Sequence, residues 1–365
     1  MRFYQFTKEI SKIVRKYFFY ISLTLFSTFF TTMFTTCKPP SRNVQTAFYY
    51  WKSALQITDF EADFLEKKQV KRLFLRSFDV ILGGAHGAVP TPVVDLSDTN
   101  SLQKLVELKT KNGLEVVPTI FIANQIFKEK KEDLPQKIVL LLERIFKNKI
   151  LFQEIQIDCD WTNETQAAYF DFLKQLAAQS QRKISATIRL HQVKFFEKTG
   201  VPPVVRGTLM AYNVGDMETA ENSILNESDL QSYLKNFESY PLPLDVALPI
   251  YAWGVVVRDG RVTRLINGIS AAEMPPPSIE PKIKQISPNS YEFEADMYFK
   301  SYYFYKNDRL RLESISSDLL LSSSKLLSEK IKNRDLTLTF YHLDSVNLAR
   351  YEKDFFDQLV ATFRR

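Results

Sequence analysis

Apolar and β-branched runs of six to twelve residues recur along the chain, and amphipathic stretches of roughly 10–20 residues separate them. The runs are "TAFYYW" (46–51), "RLFLRSFDV" (72–80), "EVVPTIFIAN" (115–124), "EIQIDCDWTNET" (154–165), "KISATIRL" (183–190), "RGTLMAYNV" (206–214), "LDVALPIYAW" (244–253) and "LTLTFYHLD" (336–344). Between them lie helical patterns such as "TDFEADFLEKKQV", "SLQKLVELKTKNG", "LPQKIVLLLERIFKN" and "QAAYFDFLKQLAAQS". Strands alternating with helices imply parallel pairing through crossovers. Eight such units within about 300 residues favour an α/β (β/α)8 TIM barrel over an open doubly wound sheet. An open sheet would call for a glycine-rich turn after the first strand, and "FYYWKSAL" has none.

The seventh unit is interrupted. "GVVVRDGRVTRLING" reads as a hairpin turning at Asp259-Gly260, and "EMPPPSIEPKIKQISPNS" is rich in proline. "YEFEADMYFKSYYFYKNDRLRLES" is extended and aromatic, with a second turn near Asn307 and Asp308. Residues 254–313 are therefore expected to form a small, mostly β insertion on the rim, within a barrel spanning 46–365. Its aromatic segment 291–308 offers a surface for a protein partner in the cell envelope.

The amino terminus changes the picture. Arg2, Lys8, Lys12, Arg15 and Lys16 precede an uncharged run from Tyr17 to Phe34, and then comes "FTTCKPPS". That order matches an export signal, with Cys37 as the lipidation point, residues 1–37 as leader and 38–45 as linker. The alternative is an uncleaved anchor, since the run approaches the roughly 20 residues that span a bilayer. Either way the chain is expected outside the cytoplasm, tethered to a membrane. Without the leader's five basic residues and one acid, the 48 Lys/Arg and 42 Asp/Glu fall to 43 and 41. So even a balance gives no electrostatic reason to expect a nucleic-acid partner. Cys159 would then be the one cysteine left beside Cys37, on the apolar phase of its strand.

In a (β/α)8 barrel, reacting groups gather at the carboxyl ends of the strands. Those ends carry Trp51, Arg76, Asp79, Asn124, Asp158, Asp160, Trp161, Arg189, His191, Tyr212, Asn213, Tyr251, Trp253, Tyr341, His342 and Asp344. All three tryptophans fall there, and flat indoles suit the apolar C–H faces of sugar rings. Alternation points Gln156, Asp158 and Asp160 to one face of the fourth strand, with Ile155, Ile157 and Cys159 on the other. Asp158 and Asp160 are the catalytic candidates. Trp51, Arg76, Trp161, Arg189, Tyr212, Asn213, Tyr251, Trp253 and His342 are the substrate-binding ones. Two neighbouring carboxylates raise at least one pKa, which makes a proton donor. An internal ion network with Arg76 and Arg189 is the competing structural role. His191, His342 and Asp344 lack any sign of convergence on a metal. "GGAHGAVP", around His86, lacks a Walker-type lysine. No "GxSxG" elbow occurs, and no cofactor is expected.

Three strand ends together resemble the chitinase-like, family 18 glycoside hydrolases. "IDCDWT" is similar to the end of that family's D-x-x-D-x-D-W-E pattern, matching Asp158, Asp160 and Trp161. "MAYN" resembles M-x-Y-D through Met210 and Tyr212, with Asn213 in place of Asp. "ALPIYAWG" resembles the seventh-strand motif around Pro249 and Tyr251. The chain also looks like an uncharacterised group of exported bacterial proteins, some of them lipoproteins. The resemblance implies a barrel acting on carbohydrate, with Asp160 steadying an acetamido group. Yet Thr162 stands where the family has its acid, Glu, and Ile155 replaces the pattern's first aspartate. A hydroxyl cannot protonate a glycosidic oxygen at neutral pH. A substitute acid would have to come from Glu164, Asp216 or Asp344. Three functions follow: a glycoside hydrolase, a non-catalytic glycan binder, or an envelope scaffold.

Overall fold

The computed structural model describes residues 41–364 apart from 84–87, 92, 129–131, 220 and 236. Cys37 and His86 lie outside the described residues. Among the described residues no helix is long and apolar enough to cross a membrane.

Eight parallel strands close into a barrel: β1 (Asn43–Tyr50), β2 (Arg72–Leu82), β4 (Glu115–Ile122), β5 (Glu154–Asp158), β6 (Lys183–Arg189), β7 (Arg206–Met210), β8 (Leu244–Pro249) and β16 (Asp335–Tyr341). Each pairs with its sequence neighbour, and β16 closes the ring between β8 and β1. All eight correspond to the apolar runs of the sequence. A short β3 (Ala88–Pro90) folds back antiparallel on the end of β2.

The helices supply the outer layer because their apolar residues repeat along one stripe. In the helix Leu134–Phe146, Leu134, Ile138, Leu142 and Phe146 are buried. Thr58 caps the helix Asp59–Lys67 through a reciprocal box with Glu61. Inside the ring the filling is partly polar. The Tyr49 hydroxyl donates to Gln156 Oε1 (2.8 Å), and Gln156 Nε2 donates to Thr208 Oγ1 (3.0 Å), joining β1, β5 and β7 across the barrel. Burying these groups would cost free energy unless each found a partner. Once Gln156 points inward, the two-residue period sends Asp158 inward one step nearer the mouth.

The inserted sheet follows β8. Strands β9 (Ala252–Arg258), β10 (Arg261–Asn267), β11 (Ile283–Ser287), β12 (Ser290–Phe293) and β15 (Arg309–Ser314) form an antiparallel sheet in the order β10-β9-β15-β12-β11. β13 (Met297–Phe299) and β14 (Tyr302–Phe304) make a separate hairpin. Asp259 and Gly260 turn the β9–β10 hairpin with φ of 50° and 75°. Two consecutive positive φ values are what a primed two-residue turn requires. The sheet has its own small core, in which Phe293 stacks on Phe304 at 3.9 Å between ring centres.

Candidate functional site

A cleft of about 580 Å³ opens at the carboxyl ends of the strands. Its wall is aromatic and continuous. Tyr341 lies 5.8 Å from Trp51, 5.3 Å from Tyr212 and 5.6 Å from Tyr251, ring centre to ring centre, and Tyr251 lies 5.4 Å from Trp253. The rings reach the cleft from four strand ends and from the first strand of the insertion. Asn267 and Gly268, at the end of β10, complete the insertion's side of the cleft.

Individual hydrogen bonds hold the rings. The Trp253 Nε1–H donates to Glu313 Oε2 at 2.9 Å, and the same buried oxygen accepts from the Ser223 backbone N–H (3.0 Å) and hydroxyl (2.6 Å). Arg311 donates to the other carboxylate oxygen at 2.8 Å. Tyr251 donates its hydroxyl to Asn213 Oδ1 at 2.5 Å. Asn213 itself has φ 55°, a left-handed conformation that Asn adopts more readily than most residues. Tyr212 lines the cleft, and its hydroxyl is buried with no hydrogen-bond partner among the described residues. Burial holds its pKa well above the usual phenol value.

Three carboxylates line the cleft: Asp79, Asp158 and Asp344. Asp79 is clamped by Arg76 through Nε (2.9 Å) and Nη2 (2.5 Å). Asp344 is paired with Lys52 at 2.9 Å, and Lys52 also reaches the fully buried Glu61 at 3.4 Å. Burial would raise the Asp344 carboxyl, but the Lys52 hydrogen bond and the Val346 N–H hold it below the usual range. Asp158 differs. It accepts from Thr187 Oγ1 at 2.6 Å and forms no ion pair among the described residues. Burial raises its pKa, and the Asp160 charge adds to that, against the opposing Arg189 charge and Thr187 hydroxyl. Asp160 is half exposed and takes both arms of Arg189, through Nε (2.5 Å) and Nη2 (3.2 Å). Arg189 is held protonated, despite burial, by Asp158 and Asp160.

Of the residues singled out from sequence, Trp51, Asp158, Arg189, Tyr212, Asn213, Tyr251, Trp253 and His342 line this cleft. Asp160 instead lines an adjoining chamber of about 320 Å³ with His191, and Arg189, Tyr212 and Asn213 border both spaces. Arg76 acts from behind, on Asp79 and over the Trp51 ring at 5.8 Å. The competing Arg76–Asp158–Arg189 cluster does not form, because Arg76 is engaged by Asp79 and Arg189 by Asp160. Burial lowers the pKa of both His191 and His342, which favours neutral rings.

Trp161 is placed away from the cleft. It is 1 % exposed, stacks on Tyr169 at 5.3 Å and donates its Nε1–H to the Thr199 carbonyl at 2.8 Å. It follows the odd-numbered phase of Ile155, Ile157 and Cys159, which faces the helices, so its indole offers no stacking face to a ligand. Thr162 is exposed outside the cleft, and its N–H donates to Thr165 Oγ1. Glu164 and Asp216 are exposed and line neither space, whereas Asp344 reaches the cleft as an ion-paired carboxylate. Sequence reasoning placed Tyr341 and Asp79 at the rim without assigning them a role. It missed Glu313 entirely, since a Glu in "RLRLES" carries no signal that its strand buries it.

No family model matches the chain, and no curated protein does. Solved structures do. The Bacillus cereus spore cortex-lytic enzyme SleL superposes over 88 % of this chain and 75 % of its own, at 13 % identity and a TM-score of 0.54. A chitinase from Chromobacterium violaceum covers 87 % and 97 % at 9 % identity and 0.53. The GH18 chitinase ChiB of Flavobacterium johnsoniae covers 88 % and 94 % at 10 % identity and 0.50. At such identities the likeness is one of fold. What the chain shares with these structures is the fold, a (β/α)8 barrel, and here antiparallel sheets are inserted after the seventh barrel strand.

Proposed function

We propose that this chain binds a carbohydrate in the rim cleft, as an exported protein tethered to the cell envelope. The aromatic wall formed by Trp51, Tyr341, Tyr251 and Trp253 is the observation that carries this reading. Flat rings contact the apolar C–H face of a sugar, while Asp158, Asn213 and the free Tyr212 hydroxyl serve its hydroxyl groups. The solved structures of like fold are named as chitinases and a spore cortex-lytic enzyme, which supports a glycan ligand. Export and lipidation at Cys37 rest on the leader pattern of residues 1–37. A protein partner docking on 291–308 rests on the exposed Tyr298 and Tyr305.

Hydrolysis is the second reading, and Asp158 is what favours it. A cleft-lining carboxyl with a raised pKa is a proton donor for a leaving glycosidic oxygen. Asp160, ion-paired with Arg189, would orient the substrate from the adjoining chamber. Thr162 supplies no acid, so Asp158 would carry that step alone.

A glycan array and a hydrolysis screen of the full chain test both readings, with Asp158→Asn and Asp160→Asn as controls. Binding without cleavage, weakened in Asp158→Asn, is the expected result. Cleavage abolished by Asp158→Asn would establish the second reading. If the wild type neither binds nor cuts any glycan, the carbohydrate assignment is wrong.

A further inference from the structure

The groups that line the cleft or pair with those that do carry an unbalanced charge. Asp79, Asp158, Asp160 and Asp344 face Lys52, Arg76 and Arg189, four carboxylates against three cations, and Lys52 is shared with the buried Glu61. Each cation is already committed to an acid other than Asp158. The histidines nearby, His191 and His342, have pKa values lowered by burial and add no cation at neutral pH. Asp158 is 4 % exposed and, among the described residues, has Thr187 as its one hydrogen-bond donor. A second polar group, the Tyr212 hydroxyl, is equally buried, unpartnered and on the same cleft wall. Arg189 acts on Asp158 through its charge but is bonded to Asp160, so Asp158 has no ion-pair partner of its own among the described residues. A buried carboxylate so placed is costly to keep ionised, and a cation brought by a ligand relieves that cost.

We propose that the cleft selects glycans bearing a free amine, whose ammonium group sits against Asp158 and donates a further hydrogen bond to the Tyr212 hydroxyl. This rests on the carbohydrate reading and adds to it the chemical class of the sugar. An ammonium carries three donors and a positive charge, so it serves both orphaned groups and offsets the acid excess. A uronic acid would meet that excess with like charge.

The test is calorimetric titration of the full chain in detergent, at pH 6, with three tetrasaccharides of matched backbone. These are the glucosamine tetramer with free amines, its fully N-acetylated form, and cellotetraose, which carries hydroxyls at the same positions. The free-amine tetramer should bind about tenfold or more tighter than cellotetraose. Asp158→Asn should reduce that ratio to about one. The wild-type ranking decides alone if the variant fails to fold. Equal or tighter binding of the N-acetylated form or of cellotetraose overturns the amine selectivity and leaves the carbohydrate reading standing. Absence of binding by the free-amine tetramer also overturns it, and absence of binding by every glycan overturns both.

Discussion

Removing the Glu313 carboxylate tests how the inserted sheet holds the cleft. This side chain is 3 % exposed and serves four donors: Trp253 Nε1–H, the Ser223 N–H and hydroxyl, and Arg311 Nε–H. Arg311 also donates to the Met217 and Thr219 carbonyls, so one ion pair ties β15 to the loop after β7. Breaking one partner of a buried pair costs roughly 3–5 kcal/mol, and each neutral donor left unmatched adds about 1 kcal/mol when water cannot reach it. These terms overlap, and Arg311 retains two carbonyls, so Glu313→Ala should lose about 4 kcal/mol of unfolding free energy. Glu313→Gln keeps one acceptor oxygen but turns a donor toward one of the groups it faced, and should lose about half as much. Guanidinium unfolding measures the stability, and titration with a bound glycan measures whether Trp253 is still held. An alanine variant within 1 kcal/mol of wild type, with unchanged glycan affinity, would refute the clamp.

Three further outcomes follow from the geometry. Trp161→Phe should leave glycan affinity within about twofold, while Trp161→Ala should cost about 3–5 kcal/mol of stability, because the indole fills core and not cleft. Trp51→Ala should weaken glycan binding about tenfold, read by calorimetry, since a half-buried indole on the wall is lost. Asp245, buried at the amino-terminal end of the barrel, has its pKa raised to about 6, by burial above all, against the Arg206 charge and the Thr337 N–H. Its folded pKa exceeds the unfolded one, so its contribution is full below about pH 4 and is lost as pH rises through about 6. Asp245→Asn removes that titration. Its stability relative to wild type should therefore rise by about 2 kcal/mol from pH 4.5 to pH 7.5, and a constant difference would contradict the assignment.

Local period made much of this protein legible. Apolar and β-branched runs located all eight barrel strands, and amphipathic stretches located helices between them. The Asp259-Gly260 hairpin followed from turn chemistry alone. Alternation along β5 also placed Gln156 and Asp158 on the inner face, and it carried the correct answer for Trp161. That residue stands on the odd phase with Cys159, although its place at a strand end suggests the rim. Parity outranks proximity here, because a side chain just past a strand still inherits the strand's facing.

Pairing was another matter. Arg76 could have served Asp158 as well as Asp79, and Arg189 could have taken either acid of β5; nothing in the spacing ranks these choices. The bond from Trp253 to Glu313 joins residues 60 positions apart through a sheet whose register only the folded chain defines. Composition, period and turn signals thus determined the ring of strands, its inserted sheets and the end at which polar residues collect. Closure of the barrel determined which acid each arginine bonds to and which rings share a wall. The reason is range: periodicity acts between neighbours along one strand or helix, whereas charge pairing acts across the few ångströms separating strand ends that are far apart in sequence.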